Sequence, residues 1–204
     1  MHVAGAVLAG GHSRRMGRTK ALIDVGGLPM ATHVANALAA AGCRDIVLVG
    51  GDPTELAPLD LPVIADMYPG EGPVGGVLTA LHHHQHHHQH HHQHHHGAAT
   101  HVVVAACDLP GLTAGAVERM LDAVQAETDV VVAMTDRLEP AFAVWSVQTI
   151  APIEAAFETG TRAIHEVLAL FDVATVAIDA SEMRNINRPE DLLRGTLRDD
   201  EGGQ

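Results

Sequence analysis

LAGGHSRRMGRTK, residues Leu8 to Lys20, is the stretch on which the reading of this chain turns. An apolar run, Val3–Ala9, leads into it and reads as a short buried strand that stops at Gly10-Gly11. Glycine lets a backbone turn tightly and approach a ligand closely. Successive backbone N–H groups in such a turn form a concavity that binds anions. Arg14, Arg15, Arg18 and Lys20 follow at once. Arginine adds planar donors matched to phosphate, and lysine adds a mobile point charge. Either feature alone would pass as a plain turn or a solvated basic loop. Together, in a chain of formal net charge −13, they point to a bound polyphosphate. The stretch is not a Walker P-loop, which reads G-x-x-x-x-G-K-[ST]. Here five residues separate Gly11 from Gly17, and Arg18 follows.

Outward from this loop, apolar strands alternate with amphipathic helical stretches. That alternation predicts an α/β fold with a mostly parallel sheet. Strands are expected at Val3–Ala9, Asp45–Val49, Pro62–Ala65, Val102–Ala106, Val130–Met134, Ala141–Trp145 and Val173–Ile178. Helices are expected at Pro29–Ala41, closed by Gly42, at Pro73–Leu81, at Ala114–Ala126, and twice within Thr149–Leu170. In open parallel sheets, ligands sit at the carboxyl ends of the strands. The loops Gly10–Arg18, Asp66–Gly72 and Cys107–Pro110 all follow strands, so they are expected to share one edge.

The chain has 204 residues, enough for one good-sized core. Residues 1–197 read as a single domain, and residues 198–204, ending in DDEGGQ, as a disordered acidic tail. Hydrophobic residues make up 47% but aromatic ones only 2%, so Ala, Val, Leu and Ile must build the core. The acidic balance argues against a nucleic-acid or anionic-membrane binder, which needs a positive field. Cys43 and Cys107 make neither a disulfide framework nor a cysteine zinc site. With no signal peptide and no apolar run of membrane length, the expected location is cytoplasmic.

Three further constellations carry chemistry. DMYPGEGPVGG, Asp66 to Gly76, contains a literal G-x-G-x-x-G in Gly70, Gly72 and Gly75. Pro73 removes an amide that a dinucleotide pyrophosphate would use, and no acidic residue ends a following strand at the required distance, so a Rossmann site is rejected. Cys107-Asp108-Leu109-Pro110 follows an apolar run. Asp108 can be a turn former, but a carboxylate at the mouth of a polyphosphate site is also a hard-oxygen Mg²⁺ ligand. Cys107 reads as a small buried packing residue. In Asn185-Ile186-Asn187-Arg188-Pro189-Glu190-Asp191-Leu192, Asn187 suits a helix N-cap.

The tract His82–His96, HHHQHHHQHHHQHHH, is a four-residue unit repeated between Leu81 and Gly97. It reads as an insert in a surface loop or helix extension. Imidazole binds Zn, Ni and Cu, so its twelve histidines confer adventitious divalent-metal affinity if the insert is merely tolerated, and purposeful binding otherwise.

These motifs together resemble a known family. LAGGHSRRMGRTK is similar to the loop L-A-G-G-x-S-x-R-M-G-x-x-K of nucleotidyltransferases, and more narrowly to that of the molybdenum cofactor guanylyltransferase family. The likeness runs from about Val3 to Leu193. It implies a three-layer α/β/α, Rossmann-like nucleotidyltransferase fold. It also implies transfer of GMP from GTP to Mo-molybdopterin with release of pyrophosphate. Carried over by motif, Leu8, Ala9, Gly10, Gly11, Lys20, Asp66 and Asp108 bind nucleotide; Arg15, Lys20 and Asp108 are catalytic; and Asp108 holds Mg²⁺. Gly75, Asn185 and Asn187 fall on the acceptor side. Asn187 can serve as cap and site residue at once. Partner proteins that deliver molybdopterin or mature molybdoenzymes are also implied.

Two positions depart from the family pattern. Thr19 stands where Asp commonly precedes the lysine, and Glu139 stands where Gln or His commonly precedes Pro140 in the loop before a strand that lines the pterin pocket. Two rival functions remain: a cytidylyl- or sugar-phosphate nucleotidyltransferase using the same loop, and a non-catalytic metal-handling protein built around the histidine tract.

Overall fold

The computed structural model describes residues 2–10, 19–86 and 99–186. Gly11, Arg15 and Asn187, the tract beyond His86 and the acidic tail lie outside them.

A seven-stranded sheet forms the middle layer. It comprises β1 (Val3–Leu8), β4 (Arg44–Val49), β5 (Val63–Ile64), β6 (His101–Ala106), β7 (Val130–Met134), β8 (Leu138–Ser146) and β9 (Val173–Ala177). The order is β5-β4-β1-β6-β8-β7-β9. Each neighbouring pair is parallel except the two made by β8, which runs against both β6 and β7. A separate two-stranded hairpin, β2 (Asp24–Val25) and β3 (Leu28–Pro29), was not foreseen; Gly26 and Gly27 turn it at positive φ.

Strands covered on both faces must be apolar at every position rather than at alternate ones. The alternation shows instead in which face each residue serves. Val3, Val7, Val103, Ala105, Phe142 and Val144 join one cluster. Ala4, Ala6, Val102, Val104, Ala143 and Trp145 join the other. The first cluster is closed by α1 (Met30–Ala40) and α4 (Ala114–Asp122), the second by α3 (Gly72–His86), α5 (Ile150–Glu158) and α6 (Ile164–Leu168). The result is the expected α/β/α sandwich. Small side chains suit it, because β1 lies inside the sheet between β4 and β6, with Ala4, Ala6 and Val7 fully buried.

Local chemistry sets the element ends. Helix α1 closes in a Schellman motif: the Gly42 amide donates to the Ala39 carbonyl and the Cys43 amide to Leu38. Gly42 supplies the required left-handed turn at φ +89. The short helix α2 (Pro53–Leu56) begins on Asp52, whose carboxylate accepts from the Thr54 amide at 2.7 Å, with Pro53 in the first turn.

Two expectations need correction. Residues 137–140 are not a loop before a strand, because β8 already starts at Leu138 and the turn closes earlier, where the Thr135 amide donates to the Arg137 carbonyl. Pro140 is tolerated because it lies beyond the last β6 pairing, Ala105 with Phe142, and inside the irregularity of the β7 ladder, where pairing jumps from Ala143 to Glu139. Helix α3, expected to end at Leu81, runs past it into the histidine tract, which bears out the helix-extension alternative for the start of the insert. His82 Nε2 lies 2.8 Å from Glu154 of α5, and His84 is buried with Nε2 3.2 Å from the Gly5 carbonyl. That carbonyl belongs to β1 where its register with β4 shifts, between Ala4 and Ala6. The first turn of the tract is therefore part of the fold.

Candidate active site

Because β1, β4, β5 and β6 are parallel, the loops that follow them meet at one edge, as the sequence predicts. The Ala9 and Gly10 amides both donate to the Val49 carbonyl, at 2.9 and 3.0 Å. Gly50, after β4, packs against Gly10: a Cβ there would stand 3.0 Å from the Gly10 Cα, and its φ is +75. Gly50 was missed by sequence reasoning, although Gly50-Gly51 after an apolar strand repeats the Gly10-Gly11 signal. Leu8 serves packing, since Gly76 of α3 leaves only 3.1 Å between its virtual Cβ and the Leu8 side chain.

Beyond the undescribed residues 11–18, Lys20 opens a short 3-10 turn anchored by fully buried Ala21. Its Nζ donates to Asp108 Oδ2 at 2.6 Å, with both side chains less than one-fifth exposed. The Cys107 amide donates to the Leu8 carbonyl, so β1 positions Asp108 through its neighbour. Asp108 Oδ1 is buried and has no hydrogen-bond partner among the described residues. A buried carboxylate oxygen without a donor is costly unless a ligand completes it. A hard divalent cation fits this donor, since Mg²⁺ takes one or two carboxylates together with substrate phosphates. Burial, reinforced by the Asp108 charge, pushes the Cys107 thiol up to about 12, so it is a packing residue and not a nucleophile.

Asp66 is held by its own loop. Its Oδ1 accepts from the Tyr68 amide at 2.9 Å and lies 3.1 Å from the hydroxyl of Thr79. Thr79, buried on α3, also accepts from the Met67 amide and reaches the Gly75 carbonyl. Thr79 is a second residue that sequence reasoning missed, being one Thr in an apolar helix. The structure places Gly75 under the turn rather than in an open pocket, because a Cβ there would come within 2.9 Å of the Tyr68 Cβ. Tyr68 packs against Phe157 with the rings tilted and their centroids 4.7 Å apart; the Phe157 ring carries the Arg162 guanidinium 3.5 Å from its centroid, and Arg162 also pairs with Glu71. The glycine-rich turn is thus stapled to the end of α5.

Asn185 is exposed beside Asp108, fixed there by the Ile186 amide donating to the Asp108 carbonyl at 3.1 Å. Thr19, the departure from the family loop, donates its hydroxyl to Glu55 of α2, so a carboxylate reaches that spot from elsewhere in the chain. Glu139 accepts from Arg137 at 3.0 Å and lies 3.1 Å from the Thr135 hydroxyl. Among the described residues no group of three or more His, Cys, Asp or Glu could hold a metal, and no helix is long and apolar enough to cross a membrane.

An ammonium, a carboxylate and a glycine-lined edge suit transfer of a phosphoryl-type group between anions. The family model described as MobA-like NTP transferase domain matches residues 5–176. The chain belongs to the MobA-like NTP transferase family. It is a nucleotidyltransferase. A relative from Rhizobium johnstonii, called molybdenum cofactor guanylyltransferase, is 32% identical over 94% of this chain and 90% of its own. The crystal structure of molybdopterin-guanine dinucleotide biosynthesis protein A from Archaeoglobus fulgidus superposes with TM-score 0.71 at 25% identity, covering 95% of this chain and 96% of that one. A 2-C-methyl-D-erythritol 4-phosphate cytidylyltransferase from Thermus thermophilus shares the fold, with TM-score 0.67 at 18% identity, covering 95% and 96%.

Proposed function

We propose that this transferase moves GMP from GTP to the phosphate of Mo-molybdopterin and releases pyrophosphate. The observation that carries the chemistry is the Lys20–Asp108 pair at 2.6 Å, with Asp108 Oδ1 unpartnered among the described residues, set beside the glycine edge. The guanine and pterin assignments rest on the names of the relatives and on the family motifs. The acceptor phosphate is already a nucleophile, so the protein needs no Ser-His-Asp or Cys-His arrangement. Its task is to align two anions and neutralise charge at the α-phosphate and the leaving pyrophosphate. Lys20, Arg15 and the Gly10–Gly11 backbone would hold the triphosphate. Asp66, braced by Thr79, would orient the nucleoside. Asn185 and Asn187 would face the acceptor. Mg²⁺ on Asp108 would act as template and Lewis acid. The reading places the enzyme in the cytoplasm with partners that deliver molybdopterin or receive the dinucleotide cofactor.

The deciding experiment is a thermal-shift series with Mg²⁺ and GTP, CTP, ATP or UTP, on wild type and Asp108→Ala. A ligand that binds only the native state raises apparent stability with the logarithm of its excess over Kd. A shift with GTP alone, weakened in the variant, supports guanylyl transfer. A CTP response moves the assignment to the cytidylyl relatives, and no response to any nucleotide favours the metal-handling rival.

A further inference from the structure

We propose that Glu182 is a positioning residue for the transfer: it clamps the segment carrying Asn185 onto the Asp108 loop, and so sets the acceptor side of the site separately from the nucleotide side. That Asn185 meets the acceptor rests on the guanylyl-transfer reading; the clamp itself does not.

Residues 178–186 follow β9 without entering a helix or strand, so no ladder fixes their course. Ile178, Met183 and Ile186 are buried and give the segment an apolar underside. Apolar burial is non-directional and sets depth more than lateral position. Glu182 supplies the direction. Its side chain is only 12% exposed and both oxygens are engaged: Oε1 accepts from the Thr113 hydroxyl, and Oε2 from the Arg119 guanidinium at 2.7 Å. Hydrogen bonds to an ionised partner are shorter and stronger than neutral ones. Thr113 is itself fixed, because its Oγ1 caps α4 by accepting from the Ala116 amide at 3.1 Å. Gly111 permits the close approach, since a Cβ there would stand 2.6 Å from the Ser181 carbonyl oxygen. The Ile186 amide then reaches the Asp108 carbonyl, which leaves Asn185 exposed at the sheet edge. The nucleotide side has other anchors. Lys20 holds Asp108 Oδ2, the Cys107 amide holds the Leu8 carbonyl, and the Ala9 and Gly10 amides hold Val49. None of these bonds passes through Glu182. Releasing Glu182 therefore loosens Asn185 and leaves the triphosphate side in place.

The test compares full-length wild type with Glu182→Ala in two arms. In the first, amide hydrogen exchange is followed without substrates. The Ile186 amide should exchange at least about tenfold faster in Glu182→Ala, while the β6 amides keep their protection. General loosening of the fold would instead raise both. In the second arm, steady-state kinetics are measured with Mg²⁺–GTP and Mo-molybdopterin. KM for Mo-molybdopterin should rise about tenfold, the order carried by one charge-assisted hydrogen bond, while KM for Mg²⁺–GTP stays within about twofold of wild type. Glu182→Gln, which keeps the shape but not the charge, should fall between the two. Unchanged exchange at Ile186, or a rise in KM shared by both substrates, overturns the proposal. Should Glu182→Ala fail to fold, Arg119→Ala removes one donor from a half-exposed position and should move both readouts in the same direction by less. If wild type does not use Mo-molybdopterin, the guanylyl-transfer reading falls, and the exchange arm still decides the clamp.

Discussion

At the scale of single residues, the site depends on side chains that hold one another. Lys20 and Asp108 neutralise each other across 88 positions of sequence, and their separate removal should be catalytically severe. Asp108→Asn is expected to lower kcat by about a hundredfold or more while far-UV circular dichroism stays native. Near-normal turnover would remove Asp108 from the chemistry. Thr79 is a subtler case. Replacing it by Val keeps the shape but strips the Met67 amide and Asp66 of their partner, costing about 1–3 kcal/mol in stability. It should raise KM for the nucleotide more than it lowers kcat, which steady-state kinetics would show. The two thiols behave as core. Burial pushes both Cys43 and Cys107 from an ordinary 9.0 up to about 12. Folded-state values raised above the unfolded ones contribute stability that is complete below about 9 and is lost as pH climbs towards 12. Chemical denaturation midpoints should therefore fall progressively above about pH 9, and neither thiol should react with an aromatic disulfide reagent until the protein unfolds.

At the scale of elements, backbone geometry makes specific positions intolerant. Gly42 closes α1 at φ +89 with nothing near its virtual Cβ, so Gly42→Ala meets conformational strain and not a clash. The expected cost is about 1 kcal/mol, read from urea unfolding with an unchanged m-value. The histidine tract divides at the end of α3. His84 is buried and reaches the Gly5 carbonyl at the irregular step of β1, so His84→Ala should destabilise by about 1–3 kcal/mol. Pro140 teaches the complementary lesson. A proline that would break a regular central strand is accommodated where the ladder is irregular and no amide is required.

At the scale of the whole molecule, one sheet edge collects the functional loops. Gly10, the Asp66 turn and Asp108 follow β1, β5 and β6, and the Asn185 segment docks onto Asp108 through the Ile186 amide. The tract begins on the α3 turns that pair with Glu154 and Gly5, while the same helix starts at the glycine-rich turn. Excising residues 87–96 while keeping His82–His86 should leave nucleotidyl transfer and the melting temperature close to wild type. Loss of transfer in that variant, measured as pyrophosphate release, would show that the tract belongs to the function.

The sequence alone determined the layers, the mostly parallel sheet and the edge at which the candidate site residues meet. These follow from local signals: apolar strands of uniform character, amphipathic helices, glycine pairs after strands, and a basic loop. What only the tertiary structure decided are relations between distant positions. The antiparallel course of β8, the Gly10–Gly50 contact, the Thr79 brace on Asp66, the Glu55 carboxylate beside Thr19 and the burial of His84 all join segments far apart in the chain. Periodicity reports how a residue relates to its own element. Which other element it meets depends on how the layers pack, and that is a property of the folded chain as a whole.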